Sequence, residues 1–293
     1  MTDTDQEKSR SQSAAGFGAA ATGVNSISIS TRIRNILPPV ITMGLILLFW
    51  ENFNWMFDQP DWLVPPISKI FVTAWVEAPD RYIPNGWITF QEIIFGFFFG
   101  VSTGFFLAVI VFHSRVLRQA LLPLILGSQA IPSLAIAPVL VIWFGFGMEP
   151  KVIITALIVF FPVFVNTFAG FSSIERDSVS LMDSLGASQW QVFSKVRFPG
   201  SLPNIFTGLK IAATISPIGA IVGEWVGAHE GLGPVMIAAN AAFKTHVVFG
   251  AIFYLAMMAI SLFLLVNLLE RWLIPWHFVK TAKGESAGGG AII

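Results

Sequence analysis

Two acidic residues within long apolar runs are the side chains best placed to do chemistry. Glu92 lies just inside one run, and Glu224 ends another, ahead of a loop that contains Gly231 and Gly233. A carboxylate close to an apolar interior is costly unless it is paired or reached by water. The sequence therefore leaves Glu224 open as a gate, a helix cap or an interfacial residue, and it favours a structural role for Glu92.

Other catalytic chemistry has little support in the sequence. The histidines are His113, His229, His246 and His277. No two of them have metal-ligand spacing on a helix. The chain has no cysteine, which excludes disulfides and thiolate metal sites. It also has no Gly-Lys pair, which excludes a phosphate-binding loop for ATP hydrolysis. We therefore predict neither metal nor cofactor, and no enzymatic activity.

A third group of polar side chains accompanies two prolines in another apolar run. Pro132 and Pro138 are six residues apart, and Ser128, Gln129 and Ser133 lie beside them. Prolines break helical hydrogen bonding, and the freed carbonyls can line a polar path through a membrane. The alternative is a structural kink whose backbone groups are satisfied by neighbouring helices, and both interpretations stay open.

The elements that carry these residues belong to a membrane protein. Hydrophobic residues make up 55% of the chain and charged residues 12%, whereas soluble domains have about 25% charged residues. A spanning helix needs about 20 apolar residues. The candidate spans cover residues 36–50, 87–112, 116–146, 152–168, 203–223 and 247–269. Backbone groups in lipid must pair within their own segment, which favours helices. We predict an all-α membrane protein with six transmembrane helices.

Positive charges orient the predicted bundle. An internal N-terminus places all of the 17 Lys and Arg residues on the inner side except Lys69, Arg81, Lys151 and Lys244. This asymmetry favours cytoplasmic termini. The prediction is thus a tail at 1–34, a transmembrane domain at 35–277 and a second tail at 278–293. A short helix near 66–76 is expected outside the spans.

Glycines recur every four residues on the second span. Gly96, Gly100 and Gly104 share one helix face, and small residues in this pattern allow another helix to approach closely. Helix packing is favoured over local flexibility, although the pattern does not indicate a function.

A polar segment at about 171–202 separates the fourth and fifth spans. Leu181, Leu185, Trp190 and Phe193 would give short helices an apolar side, and Gly186 permits a sharp turn between them. Such a helix-turn-helix suits the groove of a partner protein. The alternative is an interfacial helix without a partner.

This segment resembles the cytoplasmic loop of permease subunits in binding-protein-dependent ABC importers. The family pattern is Glu-Ala-Ala-x3-Gly-x9-Ile-x-Leu-Pro, in which Gly186, Val196, Phe198 and Pro199 take the last four places. The initial triplet differs, since residues 180–182 read Ser-Leu-Met and lack the acid. Further similar segments lie at 138–147, 161–170, 185–190, 208–212 and 224–233. They resemble the nitrate, sulfonate, taurine and pyrimidine-precursor branch, and the ending at 269–277 resembles the thiamine-pyrimidine or riboflavin members.

The resemblance implies specific partners and residues. Two cytoplasmic ATP-binding subunits would dock on the loop, an extracytoplasmic solute-binding protein would deliver the cargo, and a second permease copy would complete a homodimer in the inner membrane. No nucleic-acid partner is expected. The coupling residues would be Gly186, Ala187, Ser188, Trp190, Phe193, Arg197 and Pro199.

The cargo would be a vitamin or vitamin precursor, with nitrate, bicarbonate or sulfonate/taurine as the alternative. The alternative to an ABC importer is a different class of protein, a standalone secondary transporter.

Overall fold

The computed structural model describes residues 29–276. In this range the chain is almost entirely helical and contains no strand, which confirms the predicted all-α class. It divides into two compact units, of which the first ends at Phe53 and the second begins at Asn54. The predicted tails lie outside the described residues, except that residues 29–34 are already helical.

The α-helices of the described range follow one another in chain order. They are α1 (Ile29–Phe57), α2 (Ile67–Val76), α3 (Ile83–His113), α4 (Arg115–Ser128), α5 (Ser133–Phe144), α6 (Glu149–Ser172), α7 (Arg176–Ser184), α8 (Gln189–Val192), α9 (Phe198–Trp225), α10 (Leu232–Ala241) and α11 (Thr245–Leu273). Short π-helical turns at Ala78–Tyr82 and Phe193–Arg197 lead into α3 and α9. The short helix predicted near 66–76 is therefore present as α2.

Five of these helices are long and apolar enough to cross a membrane, namely α1, α3, α6, α9 and α11. The pair α4 and α5 qualifies as a sixth span only when it is taken together, and its two halves are bent by 98°. The break lies at Pro132. Proline interrupts a helix here because it lacks an amide hydrogen and disfavours helical geometry in the residue before it. Pro123 and Pro138, in contrast, lie inside α4 and α5.

The helices extend further than the predicted spans. Helix α3 begins at Ile83 rather than near residue 87, and α9 begins at Phe198 rather than at residue 203. Hydropathy detects only the apolar part of a helix, whereas helical hydrogen bonding continues through polar turns at its ends. Element boundaries were therefore the part of the fold that the sequence predicted least well.

Helix α6 lies at the centre of the bundle, packed between α3 and α9. A methyl group on Gly100 of α3 would lie 2.6 Å from the carbonyl oxygen of Ala156, and one on Gly219 of α9 would lie 2.6 Å from Cα of Thr155. Both glycines therefore bring a helix backbone into direct contact with α6. This confirms the predicted packing role of the glycine stripe on α3.

Candidate functional site

The bend between α4 and α5 opens one side of the bundle into a cavity. Its volume is about 800 Å³, and its walls come from the bend, from α6 and from α9. Ser128, Gln129 and Ser133 all line it, so the structure brings these three predicted pathway residues together. Ile211 and Ile218 of α9 form part of the opposite wall.

The cavity is apolar with a few uncharged polar groups. Phe160 and Phe161 contribute aromatic rings, and Asn166 adds an amide that donates a 2.8 Å hydrogen bond to the carbonyl oxygen of Pro162. The hydroxyl of Ser128 donates a 2.7 Å hydrogen bond to the carbonyl oxygen of Ile125. Within the described part of the chain, no ionisable side chain lines this cavity.

Glu224 lies outside the cavity and is buried among helices, with 1% of its surface exposed. One carboxylate oxygen accepts a 2.6 Å hydrogen bond from the hydroxyl of Thr89, and the other accepts a 2.5 Å hydrogen bond from the amide of Gly233. The Thr89 oxygen in turn accepts a hydrogen bond from the amide of Leu232 at 2.9 Å. Glu224 and Thr89 thus attach the start of α10 to α3.

A buried ion pair lies next to this attachment. The ammonium of Lys151, near the start of α6, donates a 2.7 Å hydrogen bond to the carboxylate of Glu92 on α3. Both side chains are buried, and Glu224 is close enough to interact electrostatically with both. We call Glu92, Lys151 and Glu224 the acid–lysine cluster. It holds α3, α6 and α9 together within the bundle.

Lys151 is the functional-looking residue that the sequence reasoning missed. It was predicted only as one of the few positive charges on the outer side. The sequence offered no local signal for its partner, because Glu92 lies 59 residues away along the chain. A second ion pair was missed for the same reason, between Lys210 of α9 and Glu270 of α11, with a nitrogen–oxygen distance of 2.9 Å.

The polar segment at 171–202, the coupling loop hereafter, forms two short helices around a turn. Gly186 has a φ of 73°, a backbone conformation that favours glycine, so the predicted turn is present. Ser188 then caps α8, because its hydroxyl accepts a hydrogen bond from the amide of Gln191 at 3.3 Å. Ala187 lies between the turn and the cap.

The coupling loop has an exposed side and a side held by the bundle. Leu181, Leu185 and Trp190 are exposed, Leu185 by 74% and Trp190 by 70%. Phe193 is buried against Phe171, with ring centroids 5.3 Å apart. The exposed apolar side chains therefore belong to both short helices.

Two further predicted coupling residues lie, like Phe193, on the side held by the bundle. Arg197 donates a 3.3 Å hydrogen bond to the carbonyl oxygen of Phe171, and Pro199 lies in the first turn of α9. These contacts anchor the loop, and they leave the exposed apolar side free to meet another protein.

Comparison with known proteins gives consistent results. Residues 100–277 match the family model described as "Binding-protein-dependent transport system inner membrane component". A probable ABC transporter permease of Haemophilus influenzae is 34% identical and covers 81% of this chain and 97% of its own length. The formylaminopyrimidine transport permease ThiX of Halalkalibacterium halodurans is 35% identical, with coverages of 82% and 96%. The riboflavin permease RibX of Chloroflexus aurantiacus is 32% identical, with coverages of 81% and 89%.

A solved structure shares the fold. The inward-facing MetNI methionine ABC transporter includes a chain that is 18% identical and superposes with a TM-score of 0.56. The match covers 63% of the present chain and 92% of the other. At this identity the likeness concerns the helical architecture alone.

Proposed function

This chain belongs to the family of binding-protein-dependent transport system inner membrane components, and on that premise we propose that it carries a vitamin or vitamin precursor, such as a thiamine pyrimidine or riboflavin, across the inner membrane. As the permease subunit of an ABC importer, it is a transport component and not an enzyme. ATP hydrolysis then falls to a separate subunit, and cargo is delivered by a binding protein.

The cavity at the bend between α4 and α5 is the observation that carries the cargo proposal. It combines apolar walls with the hydroxyls of Ser128 and Ser133 and the amide of Gln129. A flat heteroaromatic ring can contact the phenylalanines at 160 and 161 while its ring nitrogens and carbonyls hydrogen-bond to these polar groups. Such a lining lets an uncharged ring pass without holding it tightly, so most of the affinity would lie in the binding protein.

The same lining argues against an anionic cargo such as nitrate, bicarbonate or a sulfonate. An anion that leaves water needs a cation or several hydrogen-bond donors to offset its lost hydration. The lining residues of the described cavity include no lysine, arginine or histidine. We therefore favour the heteroaromatic cargo over the taurine or sulfonate alternative.

Transport by a reconstituted importer tests the cargo. The complete complex, with its ATPase and its binding protein, would be placed in liposomes, and ATP-dependent uptake of labelled formylaminopyrimidine, riboflavin and taurine would be compared. We expect uptake of a heteroaromatic compound and none of taurine. Saturable taurine uptake without uptake of either ring compound would overturn the cargo proposal while leaving the importer intact.

A charge introduced into the cavity provides a second test. Gln129→Arg places a guanidinium in the cavity, and we expect it to slow uptake of a heteroaromatic compound because the cation disrupts the uncharged lining. Gln119→Arg is the matched control, since Gln119 is exposed on α4 and does not line the cavity. Faster uptake in Gln129→Arg, with an alkanesulfonate as the cargo, would favour an anion pathway.

We assign ATPase docking to the exposed side of the coupling loop. Gly186, Ala187, Ser188 and Trp190 would contact the ATPase, while Phe193, Arg197 and Pro199 would transmit its movement to the bundle. The apolar exposure of Leu185 and Trp190 supports this division. Gly186→Pro should reduce co-purification of the ATPase, because proline cannot adopt a positive φ. Unchanged recovery of the ATPase would show that it does not dock at this turn.

We further propose that a second copy of this chain completes the pathway, as the family membership of the chain implies. The mass of the detergent-solubilised complex shows whether two copies are present. Crosslinks between cavity residues of the two copies test whether they meet at the cavity. Both termini would be cytoplasmic, which protease protection of terminal tags in oriented vesicles tests.

A secondary transporter is the weaker candidate function. It would need a proton-carrying residue along the pathway, but Glu224 is buried outside the cavity and hydrogen-bonded to Thr89 and Gly233. Uptake driven by a proton gradient, with the purified chain alone in liposomes, would favour it.

A further inference from the structure

A second, smaller pocket lies between the coupling loop and the α3–α4 junction. Its volume is about 360 Å³. Its lining residues come from the end of α3, the first turn of α4 and the loop, and they are Phe112, His113, Arg118, Gln189, Trp190, Phe193 and Arg197. We call it the arginine pocket. It shares neither walls nor residues with the large cavity.

The two guanidinium groups of this pocket lie against one aromatic ring. The guanidinium carbon of Arg118 is 5.5 Å from the ring centroid of Phe112, and that of Arg197 is 5.1 Å from the same centroid. Such cation–π contacts are individually weak, and they do not neutralise charge. Both arginines therefore lie near one ring, and each keeps its positive charge.

No acidic side chain in the described range pairs with these arginines. Among the described residues, no carboxylate lies within ion-pair distance of Arg118 or Arg197. Arg118 uses one terminal nitrogen to donate a 2.8 Å hydrogen bond to the carbonyl oxygen of Phe112, while its buried Nε has no partner. Buried donors without partners are rare in folded proteins. Part of the hydrogen-bonding capacity of this site is thus unused.

We propose that the arginine pocket binds a phosphate group, supplied by an anionic lipid headgroup or by a soluble phosphate. Guanidinium groups present several fixed donors that match phosphate oxygens. Donors reach the pocket from separate elements, with Arg118 on α4, Arg197 before α9 and Gln189 on α8. A tetrahedral anion offers acceptors in several directions at once.

A bound phosphate would tie the coupling loop to the bundle. Gln189 and Trp190 belong to α8, whereas Arg118 belongs to α4. An anion between them would join the loop to the helices on which it rests. The site is independent of the cargo, so its test does not depend on the outcome of the uptake experiments.

The test measures binding to the purified full chain with two probes. In one arm, phosphatidylglycerol or phosphatidylcholine is added to the detergent-solubilised protein, and retained lipid is counted by native mass spectrometry. In the other arm, inorganic phosphate replaces chloride at equal ionic strength, and the thermal unfolding midpoint is recorded. We expect retention of phosphatidylglycerol over phosphatidylcholine if the source is lipid, and a raised midpoint in phosphate if the source is soluble.

Variants assign the effect to the pocket. Arg118→Gln should weaken binding at least about tenfold, which corresponds to about 1.4 kcal/mol, since it removes a charged hydrogen-bond donor from the pocket. Arg115→Gln is the matched control because Arg115 is exposed, lies three residues earlier and does not line the pocket. Arg197→Gln replaces Arg118→Gln if the latter does not fold, and Arg118→Lys should bind with intermediate strength.

Two results would overturn the proposal. One is that the probes do not distinguish the pocket, either because neither probe binds the wild-type chain or because both bind wild type and Arg118→Gln equally. The other is that Arg118→Gln loses ATPase co-purification while phosphatidylglycerol and phosphate bind as before. The second result would make the pocket a contact for an acidic side chain of the ATPase.

Discussion

The acid–lysine cluster and the arginine pocket lie toward opposite ends of the same helices and satisfy their charges differently. In the cluster, the ammonium of Lys151 is 2.7 Å from Glu92, and Glu224 has two hydrogen-bond donors. In the pocket, Arg118 and Arg197 both lie over the ring of Phe112, Arg118 also lies over that of Phe168, and each arginine donates a hydrogen bond to a different backbone carbonyl. Each charged group of the cluster contacts another buried group of this chain, although Oε2 of Glu92 has no hydrogen-bond partner, whereas the pocket lies between the coupling loop and the bundle and holds no carboxylate.

This difference separates a structural role from a binding role. Buried charges that find their partners within one chain hold helices together, and removal of one partner leaves another charge stranded. Charges that find no partner within the chain remain available to a ligand. Substitutions should therefore affect stability at the cluster and ligand binding at the pocket.

The largest expected effect is from Lys151→Met, which would break the closed cluster. It leaves Glu92 without its cation in a buried position, and we expect a loss of about 3–5 kcal/mol in the free energy of unfolding. Thermal unfolding of the detergent-solubilised protein measures this loss. Adding Glu92→Gln should recover part of it by removing the stranded charge.

The control for that substitution is Lys69→Met. Lys69 and Asp61 form an exposed ion pair at 2.9 Å, which should contribute no more than about 1 kcal/mol. Equal losses from the two lysine substitutions would contradict a special role for the buried cluster.

A smaller effect is expected from Thr89→Val, which keeps the shape of the side chain and removes its oxygen. Glu224 loses one donor and the amide of Leu232 loses its acceptor, so we expect a loss of about 3 kcal/mol. Thermal unfolding again reports the change, and Thr89→Ser is the matched control because it keeps the hydroxyl. If valine is tolerated as well as serine, Thr89 does not attach α10 to α3.

The close approach of α3 to α6 can be tested by Gly100→Ala. The added methyl group would lie 2.6 Å from the carbonyl oxygen of Ala156, and we expect overpacking to cost about 2 kcal/mol. Gly44→Ala is the control, since nothing lies within 4 Å of its added methyl group. An unfolding midpoint that does not fall in Gly100→Ala would show that the glycine stripe does not set the helix separation.

The smallest effect on stability is expected from Arg118→Gln in the absence of added phosphate or anionic lipid. Only cation–π and single hydrogen-bond contacts are lost, so the free energy of unfolding should fall by about 1 kcal/mol or less. Thermal unfolding without additives checks this. A loss as large as that of Lys151→Met would make Arg118 a structural residue and remove the contrast between the two regions.

The fold was largely predictable because its main signals are local. Apolar runs marked the spans, and Gly186 marked the turn of the coupling loop. Of the two prolines predicted to break the third span, Pro132 lies at the break between α4 and α5, whereas Pro138 lies inside α5. Ser128, Gln129 and Ser133 were also predictable as a group, because they surround one break in one apolar run. Their common position in the cavity follows from that bend.

The partners of the buried charges were not predictable in this way. Glu92 and Lys151 are separated by 59 residues, and Thr89 and Glu224 by 135. No periodicity within a helix connects residues so far apart. The sequence left Glu224 open as a gate, a helix cap or an interfacial residue, and it gave no indication of the hydrogen bonds to Thr89 and Gly233.

By itself, the sequence determined the all-helical membrane class, the broken span and the loop that resembles an importer permease, because hydropathy, proline and glycine positions act over a few neighbouring residues. Only the tertiary structure decided which charges are neutralised and which remain available. The free energy of a charge depends on groups within a few ångströms, and those groups come from different helices. The same arginine or glutamate can therefore be an anchor or a binding residue according to how the helices pack.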